Sequence, residues 1–224
     1  MLISSVELHK VDVSMLKEVC VENFTNIPKL IANGAGRIEL CDNLIVGGTT
    51  VSHGVAVVAI NYCHGKNIKV MTMIRPRGGN FIYSKEEKEM IKRDLVHLKE
   101  LGTDGVVLGC LNDTGWIDEE AMVTLLDLAN GLEVTFHMAF DQISPGNQFK
   151  AIDWLVGHGV NRILTHGGPL DTKIEDNLVR LKEYIDYADG RIIILPGGGI
   201  TNKNLHSITS AINIREVHGT KIVD

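Results

Sequence analysis

No stretch of the 224 residues is long and apolar enough to read as a membrane span: the longest strictly apolar run is Val55–Ile60, where a span needs about 18 residues. Met1–Met15 has neither a basic start nor a long apolar stretch, so no export signal is expected and the cytoplasm is the expected location. Basic clusters are missing as well. Lys and Arg number 22 against 28 Asp and Glu, a formal net charge of −6. Binding to a phosphate backbone needs a positive stripe, so nucleic acid is not an expected partner. Cysteine is scarce: Cys20, Cys41, Cys63 and Cys110 lie far apart with no CxxC pair, which reads as reduced thiols and not as a disulfide framework. A Ser–His–Asp order, a P-loop and an HExxH motif are all absent.

What is present is ordinary globular composition, 44% hydrophobic and 22% charged, which excludes disordered and collagen-like chains. Short β-rich runs alternate with helical stretches throughout. Strands are expected at Glu18–Glu22, Arg37–Cys41, Lys69–Ile74, Gly105–Leu108, Glu133–His137, Arg162–Thr165, Arg191–Leu195 and Arg215–His218. Helices are expected near Thr25–Asn33, Ser52–Gly65, Ser84–Leu101, Asp118–Asn130, Asn147–His158, Lys173–Tyr187 and Thr201–Ala211. Ser84 before Glu86 and Glu87, and Asp118 before Glu119 and Glu120, are helix-start signals. Gly34, Gly65, Gly102, Gly131 and Gly159 mark helix ends. Eight strands at about 28 residues per unit predict an α/β fold, a (β/α)8 TIM barrel, whose final helix is missing or shortened. That gap predicts a truncated chain or a homo-oligomer covering the open face. Residues 1–15 are expected to be an N-terminal extension, with Met15 an alternative start, and 16–224 the barrel domain.

Strand parity carries the chemistry, because successive side chains face the helices and the lumen in turn. With the more apolar set outward, the lumen is expected to hold Glu18, Cys20, Glu22, Arg37, Glu39, Cys41, Met71, Met73, Arg75, Glu133, Thr135 and His137. Cys20, Glu22, Glu39, Cys41, Met73, Arg75, His137 and His218 fall toward the C-terminal mouth, where barrel enzymes keep their sites. Inward charges either pair with one another or face a solvated pocket.

Three sets of residues suggest ligands. Gly197-Gly198-Gly199 after the seventh strand, with His218 beside it, is a place for an anion at a helix N-terminus, or simply a tight turn. Arg75 and Arg77 leave the third strand in Arg75-Pro76-Arg77-Gly78-Gly79 and suit a carboxylate or phosphate, although Arg75 could instead pair with Glu39. His137 and Asp141 could be a general base and its orienter, with Glu39 as a further acid/base. Cys20 and Cys41, at the ends of adjacent strands with Met73 on the next, are a soft donor set that favours Cu(I) over hard ions, or small buried thiols that only pack.

Taken together, Glu18-Val19-Cys20-Val21-Glu22, Arg37-Ile38-Glu39-Leu40-Cys41, Gly47-Gly48-Thr49-Thr50, Met73 through Gly79, Val134-Thr135-Phe136-His137, Ala139-Phe140-Asp141, Pro196 through Thr201 and Glu216-Val217-His218 resemble the CutC family. The resemblance runs in order from about Leu16 to the end. It implies a cytoplasmic TIM barrel that self-associates, a role in copper homeostasis, and Cys20 and Cys41 as Cu(I) ligands. The family usually continues some tens of residues past the last strand. Met138 stands where it usually has Arg, and His166 where it usually has a small residue. Two functions are therefore expected: copper handling through Cys20 and Cys41, or an uncharacterised barrel enzyme acting on a small anionic or phosphorylated metabolite. The latter would use Arg75, Arg77 and Gly197–Gly199 as the anion clamp and Glu39, His137 and Asp141 in catalysis.

Overall fold

A computed structural model describes residues 15–224. The extension expected at 1–15 lies, apart from Met15, outside the described residues. Eight parallel strands form one sheet: β1 (Leu16–Glu22), β2 (Arg37–Cys41), β3 (Lys69–Met73), β4 (Gly105–Leu108), β5 (Glu133–Phe136), β6 (Arg162–Thr165), β7 (Ile193–Pro196) and β8 (Glu216–Gly219). Their order is β7-β6-β5-β4-β3-β2-β1-β8. Seven helices run between them: α1 (Ile27–Ala32), α2 (His53–His64), α3 (Lys85–Glu100), α4 (Glu119–Leu128), α5 (Gln148–Gly157), α6 (Leu178–Ala188) and α7 (Leu205–Ala211). Helical returns between successive parallel strands curl the sheet into a nearly closed barrel. Among the described residues no ladder joins β7 to β8. That seam is tied just beyond the strand ends, where Thr201 bridges Lys221 and the Asn202 N–H donates to the Lys221 carbonyl at 2.9 Å.

The expected inward and outward sets are realised except at Glu22, which is exposed at the end of β1. Val19, Val21, Ile38, Leu40, Val70, Val106, Val134, Phe136, Ile163 and Val217 belong to one large apolar layer with helix residues such as Ala59, Leu95, Leu125, Leu155 and Leu181. Inside the barrel, Cys20, Cys41, Met71, Met73 and Val107 form a separate small cluster. Thr72 is outward, and its hydroxyl lies 3.2 Å from that of Thr103. The N-terminal end of the lumen is ionic. Arg37 pairs with Glu18 and with Glu216 at 2.6 Å, and Arg162 pairs with Glu216 at 2.8 Å and Glu133 at 2.5 Å. Lys69 closes on Glu133 at 2.5 Å. Each charge of this network has an opposite partner, the condition under which buried ions persist.

The two helix-start signals, Ser84 and Asp118, behave as read. Ser84 and Glu87 form a full capping box, and the Asp118 side chain accepts from the Ala121 N–H at 3.1 Å. Gly34, Gly102, Gly131 and Gly159 adopt positive φ at helix ends. Gly65 does not: its φ is −63°, and Asn67 takes the left-handed turn two residues later. Helix α7 begins at Leu205, not near Thr201, because the Asn204 side chain accepts from the Thr201 N–H at 2.8 Å and holds 201–204 in a turn.

Removing Arg37 leaves Glu18 and Glu216 without its charge in the floor of the barrel. Arg37→Ala is therefore expected to cost about 3–5 kcal/mol of unfolding free energy. Urea unfolding checks this, and a loss below about 1 kcal/mol, the scale of an exposed pair, would show that the network is not holding the strands together.

Candidate functional site

Register builds the site. Cys20 lies opposite Glu39, and Glu18 lies opposite both Arg37 on one side and His218 on the other. Glu18 accordingly divides its carboxylate between floor and mouth: one oxygen accepts from Arg37, and the other accepts from His218 Nδ1 at 2.8 Å. Burial works against its ionisation, but the His218 hydrogen bond and the Arg37 charge prevail and hold it at about 2. Burial likewise disfavours a charged His218. The carboxylate of Glu39, the hydrogen bond to Cys20 and the bond to Glu18 outweigh this and raise the imidazole well above its ordinary range. Burial pushes Glu39 upward, opposed by the His218 charge, and His218 Nε2 lies 3.6 Å from a Glu39 oxygen. Cys20 Sγ, a Glu39 oxygen and a His218 ring nitrogen all lie within 4.8 Å of one another.

The second thiol completes the group. Cys20 Sγ and Cys41 Sγ are 3.8 Å apart, and Cys41 Sγ is 3.6 Å from Glu39 Oε2. At Gly48, whose φ is +86°, a Cβ would sit 3.1 Å from Cys41 Sγ, so glycine lets the loop after β2 close over the sulfur. The hydrogen bond with Cys41, burial and the Glu39 charge raise the Cys20 thiol well above its usual range. The bond from Cys20 works the other way on Cys41, but burial and Glu39 push that thiol up to about 11. Both are thiols, not thiolates, at neutral pH.

A cavity of about 290 Å³ opens over the cluster, with Cys20, Glu39 and His218 on one side and Arg75, Phe81 and His137 among its other lining residues. A groove of about 810 Å³ between α3 and α4 is larger, but it lies outside the barrel among paired side chains such as Lys88–Asp118 and Arg93–Glu89.

The remaining expected residues separate into different places. Arg75 does not pair with Glu39; its Nη atoms donate to the carbonyls of Val46 at 3.0 Å, Gly48 at 3.2 Å and Gly79 at 2.8 Å, and the guanidinium lies over Phe81. Arg77 is turned to its own loop, donating to Glu87 at 2.5 and 3.2 Å and to the carbonyls of Gly78, Asn80 and Ile82. Asp141 does not orient His137. It accepts from Thr165 Oγ1 at 2.5 Å and from the His166 N–H at 2.9 Å, and burial lifts it to about 6. Gly198 and Gly199 line the mouth, Gly197 packs against Leu164 and His218, and the loop does not open into a helix N-terminus, since α7 starts only at Leu205. His166 reaches this loop, its Nδ1 lying 3.2 Å from the Gly197 carbonyl. Glu22 turns outward and accepts from the Leu44 N–H at 2.6 Å. Glu18 was expected inward without a site role; its tie to His218 spans 200 positions and is visible only in the register of β1 with β8.

Such an arrangement, two thiols beside an imidazole and carboxylates at the C-terminal mouth of a parallel α/β barrel, defines a barrel protein with a soft donor cluster at the position used by barrel enzymes. A family model described as the CutC family matches residues 15–223, and the chain belongs to that family. A family protein CutC from Enterococcus faecalis is 58% identical over 209 residues, covering 93% of this chain and all of that one. A mouse protein named copper homeostasis protein cutC homolog is 43% identical, covering 91% of this chain and 72% of its own. The crystal structure of a Streptococcus agalactiae protein titled CutC superposes with a TM-score of 0.90 at 44% identity, covering 93% of this chain and 99% of that one. An aldolase at 14% identity and a TM-score of 0.66 shares the fold alone.

Because the thiolate is the reactive form, Cys20 and Cys41 are expected to alkylate with iodoacetamide at pH 8 on the order of 100-fold more slowly than free cysteine, and at the ordinary rate once unfolded in urea. Peptide mass spectrometry reads each site; reaction of either in the folded protein at the free-cysteine rate would contradict the raised thiols.

Proposed function

We propose that this protein takes part in intracellular copper handling and holds Cu(I) as cargo between Cys20 and Cys41, with His218 as a neighbouring third donor. The observation that carries the reading is the 3.8 Å separation of the two buried sulfurs. Two sulfurs at that spacing match one edge of a tetrahedron whose centre lies about 2.3 Å from each, a usual metal–thiolate bond length. The edge leaves a side open for another ligand, and imidazole suits copper as thiolate does. Glu39 is a hard donor, better placed to accept a proton than to bind a soft ion. Mouse and human relatives named copper homeostasis protein cutC homolog support the same reading. Four free, buried cysteines support a reducing compartment, the cytoplasm.

Both thiols must lose a proton to bind the metal, and His218, held charged by Glu39 and Glu18, must give up its own to act as a donor. Since all three titrate above neutrality, affinity should tighten as pH rises, by about a hundredfold per pH unit between pH 6 and 8 for the two thiols alone and about a thousandfold where His218 also gives up its proton. Titration of the reduced protein with Cu(I) against a competing chelator is expected to show one-to-one binding that the Cys20→Ser/Cys41→Ser variant loses. Binding indifferent to the double substitution, or to pH, would overturn the proposal.

A further inference from the structure

Holding copper accounts for the thiol side of the mouth and leaves the opposite wall unexplained. Phe81 there lies against two polar groups: the Arg75 guanidinium carbon is 4.7 Å from its ring centre, and the His137 ring centre is 4.5 Å away. A metal ion bound by sulfur needs neither of these, nor an aromatic ring beside them.

Arg75 is 4% exposed and forms no ion pair among the described residues. Its Nη atoms are committed to three carbonyls, while Nε, itself buried, has no partner. A guanidinium keeps its proton, and a buried charge without a counter-ion is costly. His137 is 3% exposed. Its Nδ1 accepts from the Ala139 N–H at 3.3 Å, so the ring proton of the neutral imidazole sits on Nε2, which is buried and unpartnered. Burial and the Arg75 charge lower this histidine to about 3, so the ring is neutral at physiological pH. The ring fits because residue 109 is glycine: a Cβ there would stand 2.9 Å from His137 Nδ1. On the thiol side, Glu39 Oε1 is a third buried atom without a partner.

We infer that the mouth cavity binds a small organic carboxylate carrying a hydroxyl group, its carboxylate accepting from Arg75 Nε and His137 Nε2 and its hydroxyl donating to Glu39 Oε1. One negative charge answers the uncompensated guanidinium of Arg75. Two single N–H donors suit a carboxylate, whereas the paired Nη atoms that would clamp a phosphate are spent on the loop carbonyls. At about 290 Å³ the cavity lies at the low end of small-molecule sites, the size of a molecule of a few carbons, whose carbon face Phe81 and Met73 can cover.

Calorimetry on the reduced, copper-free protein tests this with glycolate and D-glycerate as probes, ethylene glycol and glycerol as their neutral counterparts, and inorganic phosphate. The hydroxy-acids are expected to bind, the neutral alcohols not, and phosphate more weakly. His137→Phe keeps the stacked ring and removes the donor; it is expected to weaken glycerate about tenfold or more while leaving Cu(I) affinity unchanged. Preference for phosphate, equal binding of glycerol, no binding of either hydroxy-acid at millimolar concentration, or indifference to His137→Phe would overturn the proposal. Nitrogen NMR of the labelled histidine reads the donor directly: a proton on Nδ1, or titration in the ordinary imidazole range, would overturn it as well. Copper binding failing while glycerate binds would sink the copper reading alone.

Discussion

The Glu18 carboxylate is the interaction on which the rest of the structure turns. It is buried on β1 between the two strands that flank it, and its two oxygens serve both: one accepts from Arg37 on β2, the other from His218 on β8. β8 is laddered to β1, but among the described residues it has no ladder with β7. The last strand is therefore held by one set of backbone bonds and by side-chain ties through Glu18 and Glu216. A carboxylate used in this way must be ionised, and its two cations keep it so against the cost of burial.

The same sharing connects the floor of the barrel to its mouth. Arg37 passes from Glu18 to Glu216, and Arg162 carries the chain of charges on to Glu133 and Lys69. Upward, Glu18 fixes the His218 ring through Nδ1 and leaves Nε2 facing Glu39 and Cys20. The thiols thus sit beside an imidazole whose orientation and charge are set from below. Anything that removes their protons must work against burial and a neighbouring carboxyl, and in concert with that imidazole.

Most of the barrel was legible in the sequence because alternation, helix caps and glycines at helix ends are local signals. Parity also named Cys20, Glu39, Cys41, Arg75 and His137 as mouth or lumen residues. What it left out was pairing. Arg37 was visible as inward, but nothing local says that it joins Glu18 to Glu216, 179 positions from Arg37 itself. Arg75 and Arg77 look equivalent in the sequence, two guanidiniums on one loop. They part in the fold because Glu87, one turn into α3, is within reach of Arg77 alone. Asp141 is four residues from His137, yet the chain turns through a short 3₁₀ segment, Met138–Gln142, and delivers the carboxylate to Thr165 and His166 on the neighbouring strand end. Such outcomes depend on which strand ends up beside which, and a residue pattern does not carry that information.

The two sulfurs differ in one respect that bears on how a soft ion could travel. Cys20 is 8% exposed and lines the cavity, whereas Cys41 has no exposed surface. A side chain on a donor protein cannot reach the inner sulfur, so an ion entering the proposed copper site would meet Cys20 first and be handed inward by ligand exchange, and would leave in the reverse order. The pair would then be a vestibule with a single entrance, an outer and an inner berth, where traffic depends on what can fit through the mouth and not on the surface a partner presents.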